Sequence, residues 1–535
     1  MITNSLQKKT YDAVAAALPF SIDRKKITVE PALSYLPSPI KLHDYAAGVL
    51  AAFGSVVEHL GTIRGLPAQT MKLNRRACGF HLNELQLQFL NGYSVMIDDW
   101  PMGPDNGTYR AKDGRYVTII GLHPHLRDAL LDYFQCADST AAIQKAVEKK
   151  TAQQLEDEVN GLGLALGMVR SPEEWLAHPQ GAATAKRATV DIEQKGNARK
   201  RALGKAKHRP LEGVRVVELT HLVAGPTAGL MLAEQGADVI KVQPPRGDWV
   251  TPIWLSQSWG KKNILLDIKS PDGRKRFLEL LASADVFLSG ERPGALEEIG
   301  LGETSVREIN PDLVFANEHF CPPGTPWEMR RGFEQITQAV TGAMHAHSEG
   351  LALKEPTVVP ALMNDAVTGY LFAISIVAAL AEREEKGGFW SVGASLTRCS
   401  TLGTTMVEPL DAEQYAPVTV QDLIDYGVDQ ETPWGTFTRI APPIEFSHTP
   451  SMALRPTSWP GTDPDTIGWT EKPAGERPPK VPHYPSKLAR EGRIRNLVSC
   501  FGIEDRGDGG GVVSLRSRPE ALKAELQRFS GAHAA

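Results

Sequence analysis

Asp365 is the residue of this chain whose type and position best suit covalent chemistry. It opens a long apolar run, AVTGYLFAISIVAALAERE, whose spacing predicts a helix that ends near residues 386–388. A carboxylate at the N-terminal mouth of a helix meets free backbone N–H groups and the positive end of the helix dipole, which hold it ionised for nucleophilic attack. Aspartate is also a preferred N-cap residue, so the local sequence leaves the nucleophile and the N-cap equally open.

A second aspartate, Asp44, stands in a similar setting far upstream. It opens the apolar run YAAGVLAAFGSVVEHLGTIRG, and both runs begin with an Asp-x-x-x-Gly pattern, Asp44 with Gly48 and Asp365 with Gly369. The shared pattern favours an internal duplication over chance similarity between two apolar helices. For Asp44 we favour an N-cap or a relic, because no nucleotide-binding lobe precedes it.

The elements that must position Asp365 begin with residues 211–248. A β-branched run at 214–219, a break at Ala224-Gly225-Pro226, a helical spacing at 227–235 and a second apolar run at 238–242 predict strand, helix and strand. Such a unit belongs to a parallel sheet. It lacks the G-x-G-x-x-G phosphate loop, but Arg246 lies on the following turn, where it could meet an anionic group.

Length and composition set the outer limits. A chain of 535 residues predicts two or more lobes, and a net charge of −5 gives no general attraction to nucleic acid or anionic membranes. The five cysteines lack C-x-x-C spacing, and His123 with His125 would supply only two metal ligands. The chain start lacks the apolar core of a signal peptide. We therefore expect a soluble, cytoplasmic protein without a metal site.

Five segments, in order and at characteristic spacing, resemble the class III coenzyme A transferases of the CaiB-BaiF type, whose relatives include formyl-CoA transferase and α-methylacyl-CoA racemase. The segments are LEGVRVVELTHLVAGP from residue 211, GADVIKVQPP, NILLDIKSPDG, ADVFLSGERPGALEEIGLG and NPDLVF up to residue 315. The resemblance implies an α/β fold with a Rossmann-like parallel-sheet lobe that binds coenzyme A and a smaller α+β domain. A partial internal duplication would mean that this chain carries the parts of the family fold in a rearranged order.

The order of the segments predicts how the chain is divided. Sequences similar to the family's small domain occur early, at 109–119 and 170–181. A sequence similar to the family's closing segment occurs at 435–450. We therefore predict an incomplete first copy at 1–188, a linker at 189–209, and a CoA-binding lobe with the nucleophile helix at 210–400. A closing segment at 401–470 and a flexible tail at 471–535 follow. The two halves would form one composite unit, with the helices from Asp44 and Asp365 close together.

The resemblance also implies roles for particular residues. Asp365 occupies the position of the family's nucleophile, which becomes an acyl anhydride and then a thioester. The candidates to contact coenzyme A lie on turns at the carboxyl ends of strands; they are His221, Leu222, Val223, Arg246, Leu266 and Lys269. Val223 replaces a glutamine of formyl-CoA transferase, so formate or oxalate chemistry is not inherited.

The function implied is an acyl-CoA:carboxylate CoA-transferase with a covalent aspartyl intermediate at Asp365. An acyl-CoA racemase of the same fold is a first alternative, but Phe333 stands where that relative carries a histidine, leaving His345 or His347 as substitutes. A non-catalytic acyl-CoA-binding protein is a second. We expect acyl-CoA and a small carboxylic acid as substrates, no permanently bound cofactor, no nucleic-acid or membrane partner, and a homodimer.

Overall fold

The computed structural model describes residues 2–96, 103–197, 201–247, 249–470, 485–498, 500–505 and 511–516. The helices of the first half are α1 (Ser5–Ala15), α2 (Leu42–Ile63), α3 (Arg75–Phe80), α4 (Pro124–Phe134), α5 (Thr140–Val147), α6 (Ala152–Gly161), α7 (Pro172–Ala177) and α8 (Pro179–Ala185). Its strands are β1 (Ile27–Glu30), β2 (Met71–Asn74), β3 (Phe89–Leu90), β4 (Tyr93–Ser94), β5 (Thr108–Arg110), β6 (Tyr116–Ile119), β7 (Leu166–Met168) and β8 (Asp191–Gly196).

The second half alternates strands and helices before it turns to antiparallel strands. Its helices are α9 (Ala224–Glu234), α10 (Thr251–Gln257), α11 (Pro271–Ser283), α12 (Ala295–Glu298), α13 (Glu303–Ile309), α14 (Glu334–Thr341), α15 (Ala343–Gly350), α16 (Met363–Lys386), α17 (Leu396–Gly403), α18 (Val420–Tyr426) and α19 (Lys487–Arg490). Its strands are β9 (Arg215–Leu219), β10 (Asp238–Gln243), β11 (Lys261–Leu265), β12 (Val286–Ser289), β13 (Val314–His319), β14 (Phe389–Ser395), β15 (Gly427–Thr432), β16 (Gly435–Ile440), β17 (Ile444–Phe446), β18 (Cys500–Asp505) and β19 (Gly511–Arg516).

The central sheet has the strand order β11-β10-β9-β12-β13-β14-β8, and all neighbours from β11 to β14 are parallel. The predicted unit at 211–248 forms β9, α9 and β10, and the expected α/β fold with a parallel sheet is confirmed. Because parallel strands end at one edge, the turns after β9, β10, β11, β12 and β13 all lie at the same edge of the sheet. That edge is where ligands bind in open α/β sheets.

Helices α2 and α16 form the centre of the molecule and pack directly against each other. By length and composition each could span a bilayer, but 83% and 94% of their most apolar stretches lie buried inside the protein. They are therefore core helices. Their shared glycines serve the same purpose: a Cβ at Gly48 would lie 2.7 Å from a backbone oxygen of α1, and one at Gly369 would lie 2.7 Å from a backbone oxygen of α9. The expected proximity of α2 and α16 is confirmed, and the duplication stays a prediction.

The two halves are interleaved rather than joined only by a linker. Strand β17 pairs antiparallel with β2, and β16 pairs antiparallel with β3, so the closing segment adds strands to first-half sheets. Residues 191–196, inside the predicted linker, form β8 and pair antiparallel with β14. Part of the predicted linker is thus a strand of the central sheet. Their hydrogen bonds complete the edge of the central sheet.

The predicted flexible tail is also wrong in part. Residues 485–498 contain α19, where Leu488 is buried and the Ser486 hydroxyl donates a hydrogen bond to Asp429 at 2.6 Å. Burial of an apolar side chain and a satisfied carboxylate hold this stretch on β15. The described residues 500–505 and 511–516 pair as an antiparallel hairpin. Residues 471–484 and 517–535 lie outside the described part of the chain.

Candidate active site

Asp365 is the third residue of α16 and not its N-cap, which is Leu362. Its backbone N–H, one of the first four of the helix that have no partner within it, donates to Glu334 Oε2 at 2.7 Å. Glu334 begins α14, and its Oε1 accepts the side-chain amides of Asn364 at 3.0 Å and Gln338 at 2.8 Å. Glu334 therefore holds the first turn of α16 in place from outside the helix and fixes the position of Asp365.

The side chain of Asp365 has no ion pair or hydrogen bond with any described residue, and its residue is only partly buried. Asp44 provides the contrast. It is likewise the third residue of its helix, α2, but Arg75 grips both of its carboxylate oxygens at 2.9 and 2.7 Å, and Gln7 donates to it at 2.8 Å. The N-cap predicted for Asp44 is wrong, because Lys41 is the N-cap and Asp44 is locked in an ion pair. Of these two aspartates, only Asp365 has a side chain without a partner among the described residues.

A third carboxyl, that of Glu318 on β13, completes the site. Glu318 accepts the backbone N–H of Gly225, at the start of α9. A Cβ at Gly225 would lie 2.8 Å from Glu318 Oε2 and 2.7 Å from Thr220 Cγ2, so only glycine admits the Glu318 carboxyl here. The N-terminal ends of α9 and α16 thus both carry carboxyl groups, where unpaired N–H groups favour negative charge.

All three carboxyls have raised pKa values. Burial raises the pKa of Asp365, against the expectation that the helix N-terminus holds this carboxylate ionised. Burial, and then the negative charge of Asp365, raises the pKa of Glu318 to about 8, against the smaller opposite effect of the Gly225 N–H. The same two causes raise the pKa of Glu334, opposed by the hydrogen bonds that it accepts. Like charges in one buried site cannot all ionise, so Glu318 keeps its proton at neutral pH.

The predicted coenzyme A contacts are spread along the carboxyl edge of the sheet. His221 is exposed after β9 and lies 3.2 Å from Glu291, while Leu222 adopts a left-handed φ of +57° that turns the chain into α9. Val223 is buried as the N-cap of α9. Arg246 and Lys269 are exposed on the turns after β10 and β11. Both cations lack a carboxylate partner among the described residues and stand where an anionic ligand can reach them.

Leu266 takes a different position from the other five. Its side chain is 6% exposed and packs in the core with Phe277 and Ile264, and its backbone N–H donates to the Gln243 carbonyl. The apolar side chain is therefore turned away from solvent by the hydrophobic effect. A role for Leu266 in ligand contact rests on its backbone alone.

The histidines considered as racemase bases have other partners. His347 Nδ1 lies 3.0 Å from the Ser38 hydroxyl, and burial lowers the pKa of His347 to about 3. His345 lies 3.9 Å from Glu349. Phe333, the N-cap of α14, packs with apolar residues of the first half. The titratable side chains whose pKa values respond to the charge of Asp365 are Glu318 and Glu334.

Glu318 and Glu334 are the residues that sequence reasoning missed. Glu334 directly follows Phe333 in RRGFEQ, the position at which the racemase relative has its histidine. The sequence signal for Glu334 is a carboxylate next to this position with no basic residue in the following helical turn. For Glu318 the signal was weaker, because a charged residue at the end of the buried strand VFANEH looks like an ordinary strand end.

Comparisons with known proteins identify relatives of this chain. The family model described as CoA-transferase family III matches residues 211–422. An acyl-CoA transferase of Gibberella moniliformis is 33% identical over 266 residues, which are 48% of this chain and 47% of that protein. A formyl-CoA:oxalate CoA-transferase of Rhodopseudomonas palustris is 30% identical over 313 residues, 55% of this chain and 72% of that protein.

Among solved structures, a CAIB/BAIF family protein from Brucella suis is 30% identical, with a TM-score of 0.33, over 36% of this chain and 55% of that one. The chain spans about half the length of the first curated relatives that it matches, between 47% and 52% of each.

Proposed function

Because the chain belongs to family III of the CoA-transferases, we propose that it moves coenzyme A from an acyl-CoA to a carboxylic acid through a covalent intermediate at Asp365. One observation carries the proposal. Two aspartates occupy the third position of similar buried helices, and only the Asp365 carboxylate lacks a cation partner among the described residues. A nucleophilic carboxylate has to lack such a partner, because an ion pair like that of Asp44 with Arg75 would lower its nucleophilicity.

The reaction consists of balanced carboxyl exchanges. The Asp365 carboxylate attacks the thioester carbonyl, the C–S bond breaks, and the sulfur leaves with the electron pair, which forms a mixed anhydride. The coenzyme A thiolate then attacks the Asp365 carbonyl and releases the first acid as a carboxylate. The acceptor carboxylate attacks the carbonyl of this aspartyl thioester, the C–S bond breaks, and a second mixed anhydride forms with release of the thiolate. The thiolate finally attacks the acceptor's carbonyl, the anhydride C–O bond breaks, and Asp365 leaves as a carboxylate. A carboxylate can carry each of these bonds, whereas a hydroxyl would form a stable ester.

The other residues of the site support these steps. Glu334 holds the first turn of α16, so that Asp365 faces the substrate. Glu318 is protonated at neutral pH, so it can give its proton to the leaving sulfur. It can take the proton back from the thiol, so that the sulfur attacks as a thiolate. Its pKa of about 8 is near that of a thiol, about 8.5, which suits reversible transfer. Arg246 and Lys269 would hold the phosphates of coenzyme A.

We propose further that the protein is a cytoplasmic homodimer, as the family resemblance implies. Sedimentation of the purified protein over a range of concentrations tests the dimer. A single species with the mass of one chain at all concentrations would contradict it.

The test of the proposed activity compares two matched variants, Asp365→Asn and Asp44→Asn. Each replaces a carboxylate by an amide at the third residue of a helix. With a panel of acyl-CoAs and acids, we expect Asp365→Asn to lose transfer by about 10⁴-fold, as removal of a covalent nucleophile does, and Asp44→Asn to retain it. Equal transfer by Asp365→Asn and the wild type would refute the proposal.

A further inference from the structure

A cleft runs along one face of α9. It is lined by residues that recur at helical spacing, Val223, Thr227, Leu230, Met231 and Glu234. At 1.5 Å per residue, the distance from Val223 to Glu234 is about 16 Å. The lining therefore extends along about three turns of the helix.

The cleft begins beside the nucleophile. Leu362 and Ala366, which flank Asp365 on the first turn of α16, both line it, and Val223 stands on its other side at the start of α9. Its far wall comes from the first half of the chain, where Leu50 and Phe53 of α2 face α9. The walls at the end of the cleft next to Asp365 are therefore apolar.

The far end of the cleft is polar. His81, Glu84, Glu234 and Gln235 line it, and Arg439 lies behind them, 3.0 Å from Glu84 and 3.7 Å from Glu234. His81 Nδ1 contacts Glu84, and His81 Nε2 lies 2.8 Å from the Ala441 carbonyl. Both ring nitrogens of His81 thus have partners within the protein.

Two acceptors at this end have no protein partner among the described residues, Oε2 of Glu84 and Oε1 of Gln235. Gln235 is 1% exposed, and its amide group donates to the Ser451 hydroxyl at 2.6 Å. A buried acceptor without a donor is costly, so this end requires a hydrogen-bond donor from outside the protein. Glu84 and Glu234 disfavour an anionic group there, and Arg439, which already lies beside both of them, disfavours a cationic one.

We propose that the cleft binds the acyl chain of the donor, and that its polar end receives a hydroxyl group at the far end of that chain. The substrate class is then an acyl-CoA with an apolar stem of medium length and a distal hydroxyl. The inference rests on the proposed function for the direction of the chain, since the carbonyl must lie at Asp365. The apolar walls remove the stem from water, and the orphan acceptors of Glu84 and Gln235 pair with the hydroxyl.

Binding of unreactive ligands tests this separately from catalysis. S-octyl-CoA and S-ethyl-CoA are thioethers that lack the carbonyl, so calorimetry with the wild-type protein measures binding without transfer. We expect S-octyl-CoA to bind at least tenfold tighter than S-ethyl-CoA, the order expected for burying several methylenes. Equal affinities would overturn the cleft as an acyl site. A failure of the proposed function would instead appear as a loss of transfer activity with this preference intact.

A pair of substitutions at Met231, in the middle of the cleft, adds a geometric test. Met231→Phe fills the cleft and should abolish the preference for the octyl chain, whereas Met231→Ala widens it and should keep the preference. Leu162→Phe introduces the same ring at an exposed first-half position, 62% exposed, as the matched control. A preference unchanged in Met231→Phe would place the alkyl chain elsewhere and overturn the proposal.

The distal hydroxyl has its own comparison. The ω-hydroxyoctyl thioether should bind about tenfold tighter than S-octyl-CoA, because a site built to bond a hydroxyl discriminates against the analogue without it. Gln235→Leu should remove this difference and leave the binding of S-octyl-CoA similar or tighter. If the two thioethers bind equally to the wild type, the polar end holds only water and the hydroxyl assignment is wrong.

Discussion

At the scale of single residues, the central contrast is between Asp365 and Asp44. The two share residue type, helix position and a following glycine four residues on, yet their surroundings give them opposite chemistry. Arg75 neutralises Asp44, while Glu318 and Glu334 surround Asp365 with further carboxyls. A charge without compensation in a cleft is a common mark of a functional group. The two aspartates therefore differ in their partners and not in residue type or helix position.

The first prediction concerns the stability of Asp365→Asn. Burial raises the pKa of Asp365 in the folded protein, so the folded state binds its proton more tightly than the unfolded state. The free energy of unfolding therefore falls as pH rises above the unfolded pKa of about 3.9. Asp365→Asn removes this penalty. Urea unfolding should show the variant more stable than the wild type at pH 8, with the difference vanishing near pH 4. A variant that is less stable at pH 8 would contradict the raised pKa.

The second prediction concerns Glu318→Gln. The pKa of Glu318 is about 8, so its proton is present below that pH and is lost above it. The transfer rate of the wild type should fall as pH rises through about 8. Glutamine has a similar shape and still accepts the Gly225 N–H, but it cannot release a proton. The variant should be slower at neutral pH and lack the fall, and identical pH profiles would exclude Glu318 as the proton carrier.

At the scale of elements, α16 and α14 form the site together. Helix α16 brings Asp365 to the carboxyl edge of the sheet, and Glu334 at the start of α14 satisfies its first turn. The helix of the first half, α2, has the same form but packs its aspartate against α1 and α3, through Gln7 and Arg75. In the proposed mechanism α16 thus serves catalysis, while the aspartate of α2 serves stability.

The third prediction concerns the ion pair between Asp44 of α2 and Arg75 of α3. In Asp44→Asn the Arg75 guanidinium, whose side chain is 12% exposed, loses its charged partner inside the protein. Breaking one side of a buried ion pair costs about 3 kcal/mol, and thermal unfolding should show a loss of that size with transfer activity retained at low temperature. Arg75→Lys, which keeps the charge but loses the two-pronged contact, should have a smaller effect. Unchanged stability in Asp44→Asn would show that the pair is not structural.

The sequence predicts the local elements better than their partners. Apolar periodicity indicates α2, α16 and the unit β9-α9-β10 to within a few residues, because these patterns are local. It does not indicate that β17 would pair with β2, or that residues 191–196 would join the central sheet, since strand pairing depends on residues far away in sequence. For the same reason it identifies Asp365 but misses Glu318 and Glu334, which come from other elements.

At the scale of the whole molecule, the halves depend on each other. Arg64 at the end of α2 donates to the backbone carbonyls of Gly204, Pro210 and Glu212, at 3.0, 2.7 and 2.8 Å, and so fixes the start of the second half. Arg76 of α3 binds both carboxylate oxygens of Asp422 in α18, at 2.6 and 2.9 Å. Strands of both halves also pair within the same sheets. Together with this pairing, the two arginine contacts make the first half part of the scaffold that supports the site.

The fourth prediction is that neither half works alone. Residues 210–470 expressed alone would lose the α2 surface that covers α16, and the exposed apolar area would exceed the few hundred Å² that a monomer tolerates. We expect the fragment to be poorly folded and inactive, and co-expression with residues 1–188 to restore activity. Circular dichroism and transfer assays measure both. A fragment 210–470 as active as the full chain would show that the first half is dispensable.

The most direct test of the central claim is to map a covalent adduct after incubation with an acyl-CoA. We predict that the peptide containing Asp365 gains the mass of the acyl or coenzyme A group, that hydroxylamine converts the adduct to a hydroxamate at Asp365, and that Asp365→Asn shows neither. The Asp44→Asn protein should label like the wild type. Labelling at Asp44, or full transfer without any adduct at Asp365, would contradict the account.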